Sequence, residues 1–139
     1  MKTVCVAGNF DPLHIGHVRH IQKAKKLGDK LVVIIHPDND VIKKKGYCFM
    51  PLEQRKAIIE ELKSVDEVVV AIDGDITCAE TLRLIKPNIF AKGGDRVPGT
   101  LPENEIQICQ ELGIQIVYGI GEQLASSQEL VKRAAGRER

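Results

Sequence analysis

The segment Gly8-Asn9-Phe10-Asp11-Pro12-Leu13-His14-Ile15-Gly16-His17 packs two histidines, an aspartate, an asparagine and two glycines into ten residues. It follows a short β-rich run and leads into an amphipathic stretch. That makes it a strand-to-helix turn at the carboxyl end of a strand, where open α/β sheets hold ligands. The free N–H groups of the following helix face such a turn and favour phosphate. Gly16, between His14 and His17, lets a ligand come close to the backbone. Imidazoles beside the turn can donate hydrogen bonds to phosphoryl oxygens and stabilise charge that develops during transfer. Two other readings stand beside this one. The histidines can cap or pack the helix start, and with His20 they form H-x-x-H-x-x-H, a conceivable zinc stripe. His20 lies about one turn beyond the loop and suits a surface or partner contact better than a third ligand. The segment has neither the glycine spacing of a dinucleotide fingerprint nor the Lys-Ser/Thr of a P-loop.

Other polar groups recur at the ends of apolar runs. His36-Pro37-Asp38 follows the second run and precedes Lys43-Lys44-Lys45, which alone reads as a solvated loop. Arg55, in Glu53-Gln54-Arg55, alone reads as a helix-surface residue, although its planar fork suits phosphate. Lys92-Gly93-Gly94-Asp95-Arg96 is a polar, glycine-rich turn at a later strand end, and Ser126-Ser127 stands where a last helix begins and can cap it.

The elements that must position these groups follow from the pattern of apolar residues. Runs at 4–7, 31–35, 68–72, 89–91 and 114–118 predict five strands covered on both faces. Helices are predicted at 17–27, with Val18, Ile21, Ala24 and Leu27 as its buried stripe and Gly28 as its stop, and from Pro51 onward, with Ile58, Ile59 and Leu62 inward. Three more are predicted at 79–85, 102–112 and 127–134, the second of them stopped by Gly113. Alternation at βαβ length predicts one parallel sheet with helices on both faces.

Composition narrows the function classes. The chain has 139 residues, 20 Lys+Arg against 19 Asp+Glu, a formal net charge of +1, 28% charged and 43% hydrophobic residues. That profile excludes a disordered, collagen-like or disulfide-scaffold protein. The near-zero net charge argues against non-specific nucleic-acid binding, and no apolar run approaches the roughly 18 residues a membrane span needs. The 4 cysteines, Cys5, Cys48, Cys78 and Cys109, form neither C-x-x-C nor a zinc-finger spacing and read as reduced thiols of a cytoplasmic protein. One domain over 1–135 with a frayed tail at 136–139 is expected, with no signal segment ahead of the first strand.

The pattern G-x-F-D-x-x-H-x-G-H, reading His-Ile-Gly-His at 14–17, resembles the signature of the HIGH-motif nucleotidyltransferases. The resemblance is to their small cytidylyltransferase-like family, which includes glycerol-3-phosphate cytidylyltransferases, archaeal FAD synthases and heptose-phosphate adenylyltransferase domains. It covers nearly the whole chain. It implies a Rossmann-like three-layer α/β/α fold with a five-stranded parallel sheet. His14 and His17 would contact nucleotide phosphates and stabilise the transition state, with Lys44 as the third catalytic group. Gly8, Asn9, Phe10 and Gly16 would lie against the nucleotide, and Asp11 would hold the loop or the triphosphate–metal arrangement. Lys43 and Lys45 would face phosphates. The turn with Gly94 and Asp95 would line the base and ribose, Lys92 would face phosphate or acceptor, and Ser126 and Ser127 would bind phosphate. Asp38, Arg55 and Arg96 would bind the acceptor. The chain departs from the family at the last helix, where Gln128 replaces a third hydroxyl and a nearby arginine is missing.

The implied reaction is transfer of CMP or AMP from CTP or ATP to a small phosphorylated acceptor, a sugar or polyol phosphate, with release of pyrophosphate. Mg²⁺ would accompany the triphosphate, without a protein metal cage. The alternatives are a coenzyme-type adenylyltransferase, of FAD synthase or phosphopantetheine kind, and a non-catalytic nucleotide-binding protein. A homodimer is expected, with neither nucleic acid nor membrane as partner.

Overall fold

A computed structural model describes residues 1–93, 99–120 and 127–137. In chain order the elements are β1 (Thr3–Gly8), α1 (Ile15–Lys25), β2 (Lys30–Ile35), α2 (Asp38–Lys45) and α3 (Leu52–Glu60). They continue with β3 (Glu67–Val70), α4 (Ala79–Ile85), β4 (Ile89–Ala91), α5 (Glu103–Leu112), β5 (Gln115–Val117) and α6 (Ser127–Arg137). The strands form one five-stranded sheet in the order β3-β2-β1-β4-β5. Every neighbouring pair is parallel, as the alternation predicts.

Side chains alternate across each strand, so the sheet builds two cores. On one face Val4, Val6, Leu31, Val33 and Ile35 pack with Ile21 and Ala24 of α1 and Ile59 of α3. On the other, Cys5, Val32, Ile34 and Phe90 pack with Ala79 and Leu82 of α4 and Ile108 and Cys109 of α5. The result is a three-layer α/β/α fold of Rossmann-like type. The chain runs outward from β1 through β2 to β3, then returns to lay β4 and β5 on the other side of β1. The carboxyl end of β1 therefore sits at the reversal of strand order, the place such sheets open a crevice.

Four local expectations are corrected. Residues 38–45 form a helix rather than a loop. With only Asp40 and Val41 buried it carries almost no apolar periodicity, yet its ends are marked: Pro37 is the N-cap, acids fill the first turn, lysines fill the last, and Gly46 turns left-handed at φ 86°. Helix α1 starts at Ile15, so His14 is its N-cap and His17 lies inside the first turn. In α3 the inward stripe is Leu52, Arg55 and Ile59, continued by Leu62 just past the helix end, while Ile58 is 42% exposed. An arginine thus takes a core position that the apolar pattern assigned to isoleucine. Finally, α6 continues to Arg137, into the expected tail.

Gly28 also acts differently from its expected role. It is not the left-handed residue ending α1, since the helix closes at Lys26 in ordinary right-handed geometry. A Cβ on Gly28 would lie 2.7 Å from the Lys2 carbonyl and 2.8 Å from Val4 Cγ2. The Lys2 carbonyl is fixed by N–H groups of Asp29 and Lys30, and Val4 is fully buried. Among the described residues no helix is long and apolar enough to cross a membrane. Gly28→Ala is expected to lower the unfolding free energy by about 1–3 kcal/mol, from overpacking against fixed neighbours. Urea denaturation measures it, and an unchanged midpoint would contradict the close approach.

Candidate active site

The two signature histidines are held by each other. His14 Nδ1 accepts the Gly16 N–H at 3.1 Å, and His17 Nδ1 accepts the His14 N–H at 3.2 Å. This is a capping box built from imidazoles in place of the usual hydroxyl and carboxyl pair. Its chemical consequence is a fixed tautomer. A ring nitrogen that accepts a hydrogen bond carries no proton, so each neutral ring bears its proton on Nε2 and can donate it outward. The rings stack with centroids 3.7 Å apart and planes 21° from parallel. Burial, then the neighbouring His14, His20 and Lys45, push His17 down to about 3, and burial also lowers His14. Both rings are therefore uncharged hydrogen-bond donors in the empty protein at neutral pH.

Phe10 forms the floor beneath them. It is 2% exposed, takes a left-handed φ of 52° and meets the His17 ring edge-on, with centroids 4.9 Å apart. A side chain on Gly8 would come within 3.0 Å of the Phe10 ring. A non-glycine residue in that region of φ costs of order 1–3 kcal/mol and persists only where its surroundings hold it.

Those surroundings are polar and buried. Asp11, fully buried, accepts the N–H groups of Phe49 (2.7 Å) and Met50 (2.5 Å) in the α2–α3 connection. Lys45 lies over it, 3.0 Å from the Asp11 carbonyl and 3.6 Å from Oδ2. Arg55 lies with its side chain wholly buried. Its Nε donates to Met50 O at 2.8 Å, its Nη1 to Asn9 O and His36 O at 2.8 Å each, and its Nη2 to Asp38 Oδ1 at 2.6 Å. Asp38 Oδ1 also accepts the Leu52 N–H at 2.9 Å and the Cys48 thiol at 3.4 Å. Burial pushes the Asp38 carboxyl up, but hydrogen bonds from Arg55 and Cys48 outweigh it and hold the group below its ordinary value. Ser127, at the start of α6, donates to Pro12 O at 2.7 Å and ties the last helix to the loop.

These bonds sort the residues expected at the site. Asp38 and Arg55, expected on the acceptor, join the ends of β1 and β2 to the α2–α3 connection. The three lysines separate. Lys43 reaches Gly74 O at 3.3 Å and Lys45 sits on Asp11, while Lys44 lines a cavity of about 290 Å³ beside the loop. Gly8, Asn9 and Lys92 line the same cavity, with Lys92 Nζ 4.5 Å above the Phe90 ring centroid. Ser127 is engaged with Pro12, and Gly16 is buried in the cap. Gly94, Asp95, Arg96 and Ser126 lie outside the described residues. Sequence reasoning missed His36, Cys78 and Glu105 as cavity residues. Only His36, next to a strand end in His36-Pro37-Asp38, carried a signal that could have found it.

His20 Nδ1 pairs with Ile120 O, so the three histidines have separate tasks. Among the described residues no group of three His, Cys, Asp or Glu side chains could hold a metal ion. Both Asp11 oxygens already accept backbone N–H groups. The described donors therefore do not fit a protein-held Mg²⁺.

Comparison with known proteins agrees with the geometry. The family described as "Cytidylyltransferase-like" matches residues 5–120. The chain is 35% identical over 134 residues to an FAD synthase of Pyrococcus abyssi, covering 94% of this chain and 90% of that protein. It is 45% identical over 96 residues to an FAD synthase of Ferroglobus placidus, covering 69% of this chain and 61% of that one. Among solved structures, a lipopolysaccharide core biosynthesis protein of Thermoplasma volcanium superposes with a TM-score of 0.74 at 33% identity, over 88% of this chain and 98% of that chain.

Two measurements check the site. Arg55→Leu is expected to destabilise by about 3–5 kcal/mol, since it strands Asp38 and three carbonyls. Chemical denaturation reads this, and a loss under about 1 kcal/mol would mean that the guanidinium is dispensable. The second is a pH profile. His17 titrates near 3 in the fold against an ordinary 6.5, so between those values the unfolded chain binds a proton that the folded one refuses. Stability contributed here is complete above about 6.5 and falls as pH drops toward 3. His17→Asn keeps an acceptor for the His14 N–H and removes the titration, so its Tm should fall less steeply between those pH values than that of the unaltered protein. Parallel curves would contradict the depressed value.

Proposed function

The chain belongs to the cytidylyltransferase-like family, nucleotidyltransferases acting on phosphorylated acceptors, and from this we propose that it transfers AMP from ATP to FMN, making FAD. The observation that carries the reading is the pair of stacked, uncharged histidines whose Nε2–H groups remain free at the start of α1. The choice of FMN is supported by the resemblance to FAD synthases along most of the chain. It replaces the sugar or polyol phosphate expected from sequence. The Thermoplasma lipopolysaccharide protein supports a sugar or polyol phosphate as the second reading.

In this reaction an oxygen of the FMN phosphate attacks the α-phosphorus of ATP. The Pα–O bond to the β-phosphate breaks, and pyrophosphate leaves with the bonding electrons. A phosphomonoester at neutral pH is already deprotonated enough to attack, so the protein needs no general base. It supplies alignment and charge stabilisation. His14 and His17 donate their Nε2–H groups to phosphoryl oxygens, where donors fixed in advance cost no reorganisation as charge develops. Helix α1 adds its N-terminal N–H groups, and Lys44 and Lys92 add positive charge from the cavity. The triphosphate itself would hold a Mg²⁺ ion, which would neutralise part of its charge.

The test is pyrophosphate release with ATP or CTP against FMN, glycerol 3-phosphate, heptose 1-phosphate and 4′-phosphopantetheine. The expected outcome is release that requires ATP and FMN together, with FAD as product. In the same assay His17→Asn should lower kcat by at least about a hundredfold while leaving the fold intact, in line with loss of a transition-state donor. Release that depends on a sugar phosphate would select the second reading. Silence with every acceptor would leave a binding protein.

A further inference from the structure

The cavity of about 290 Å³ that carries Lys44 and Lys92 also has a buried carboxyl group in its wall, which the reaction does not use. Glu105 is 3% exposed. Its Oε2 accepts the backbone N–H of Cys78 at 3.1 Å and the Cys78 thiol at 3.5 Å. Its Oε1 is buried and has no hydrogen-bond partner. Burial, reinforced by Glu105, pushes the Cys78 thiol far up, so its proton stays in place as a donor.

The local sequence explains why the carboxyl group points away from its own helix. Glu105 is the third residue of α5, where a glutamate normally turns back to the N-cap N–H. Here the N-cap is Pro102, which has no N–H to offer. The side chain instead crosses to Cys78 at the start of α4 and satisfies one oxygen there. A buried acceptor left without a donor is costly, and such groups in folded proteins call for a reason. The rest of the wall is mixed. Ala7, Ile76 and Pro102 are apolar, and His36 is 3% exposed with Nδ1 also unpartnered, 3.9 Å from an equally unpartnered Asp40 Oδ2. A ligand with a polar edge and an apolar body fits such a wall, with its anionic end toward the lysines.

We propose that Glu105 is the specificity-determining residue for the acceptor, with Oε1 accepting a hydrogen bond from an N–H or O–H on the acceptor's body while Lys44 and Lys92 take its phosphate. This deepens the proposed function and rests on its premise that a phosphorylated acceptor occupies this cavity. Two sources supply the same donor chemistry, the imide N–H of a flavin ring and a hydroxyl of a sugar.

The test uses Glu105→Gln, which keeps a carbonyl for the Cys78 N–H and replaces the unpartnered acceptor with an NH₂ donor. Affinity for FMN is read by flavin fluorescence and for sugar phosphates by calorimetry, with Tm and the KM for ATP as controls. The expected result is at least about a tenfold loss of acceptor affinity, the scale of one hydrogen bond. ATP KM should stay within about twofold. For the flavin source, FMN methylated at the imide nitrogen should bind the unaltered protein at least about tenfold more weakly than FMN does. That measurement needs no variant. For the sugar source, only sugar phosphate affinity should fall. Unchanged acceptor affinity, a joint loss of acceptor and ATP affinity with a lowered Tm, or no binding of either acceptor to the unaltered protein would overturn the proposal. Binding of FMN that Glu105→Gln abolishes, without pyrophosphate release, would sink the FAD synthase reading and leave the role of Glu105 standing.

Discussion

The buried guanidinium of Arg55 is the interaction on which the rest of the site depends. Three of its four hydrogen bonds go to main-chain carbonyls, of Asn9, His36 and Met50, and the fourth goes to Asp38. Those carbonyls belong to the ends of two neighbouring strands and to the connection before α3. Carbonyls at strand ends have left their ladders and need donors, and water does not reach this point. A lysine could not serve them, because one ammonium cannot present a planar fork to several directions at once. Burying a charge here is expensive. The cost is offset because Asp38 neutralises it and every described bond is short. The gain is a strand end that cannot shift when a charged ligand arrives.

From that anchor the loop at the end of β1 is built outward in layers. Asp11 ties the loop to the α2–α3 connection, Ser127 ties it to the last helix, and Phe10 fills the space beneath with its backbone in an unfavourable region. Only then do His14 and His17 cap α1. The cap sets their chemistry as well as their position. Each Nδ1 is engaged by a backbone N–H, so the proton has one place left on each ring. Two protonated rings at stacking distance would repel each other, and burial disfavours either charge. The pair therefore stands as neutral donors.

How much of this was legible in the sequence differs from element to element for physical reasons. The strands were readable because a parallel sheet covered on both faces demands unbroken apolar runs, and the edges moved by only a residue or two. The loop was readable because its residue types are unusual together and their spacing is local. Helix α2 was hidden because it buries only Asp40 and Val41, so its signal lay in its caps and charge order rather than in periodicity. Arg55 was misplaced for the opposite reason. Its position in the stripe with Leu52, Ile59 and Leu62 is a core position, but a charged residue is read as exposed until its partners are known, and all four come from elsewhere in the chain. Glu105 and Cys78 lie 27 residues apart and meet only through the packing of α4 on α5. No local pattern could announce that pair.

The geometry at the end of β1 also suggests why the reaction can proceed without a base. Gly8 and Asn9 line the cavity that holds Lys44 and Lys92, and the same short segment continues into the cap of α1. An in-line displacement needs the nucleophile and the leaving group on opposite sides of phosphorus. In the proposed reaction the acceptor phosphate comes from the cavity and the departing pyrophosphate faces the helix terminus, with the β1 end between them. Positive charge on the first side gathers a dianionic nucleophile, and fixed neutral donors on the second receive the charge that leaves. Had the histidines been cations, they would have held the triphosphate tightly in the ground state as well, and binding that is equal in ground and transition states does not raise the rate of the chemical step. In the proposed reaction the burial that lowers both pKa values therefore serves the chemical step, because the stabilisation given by neutral donors grows as charge moves toward the leaving group.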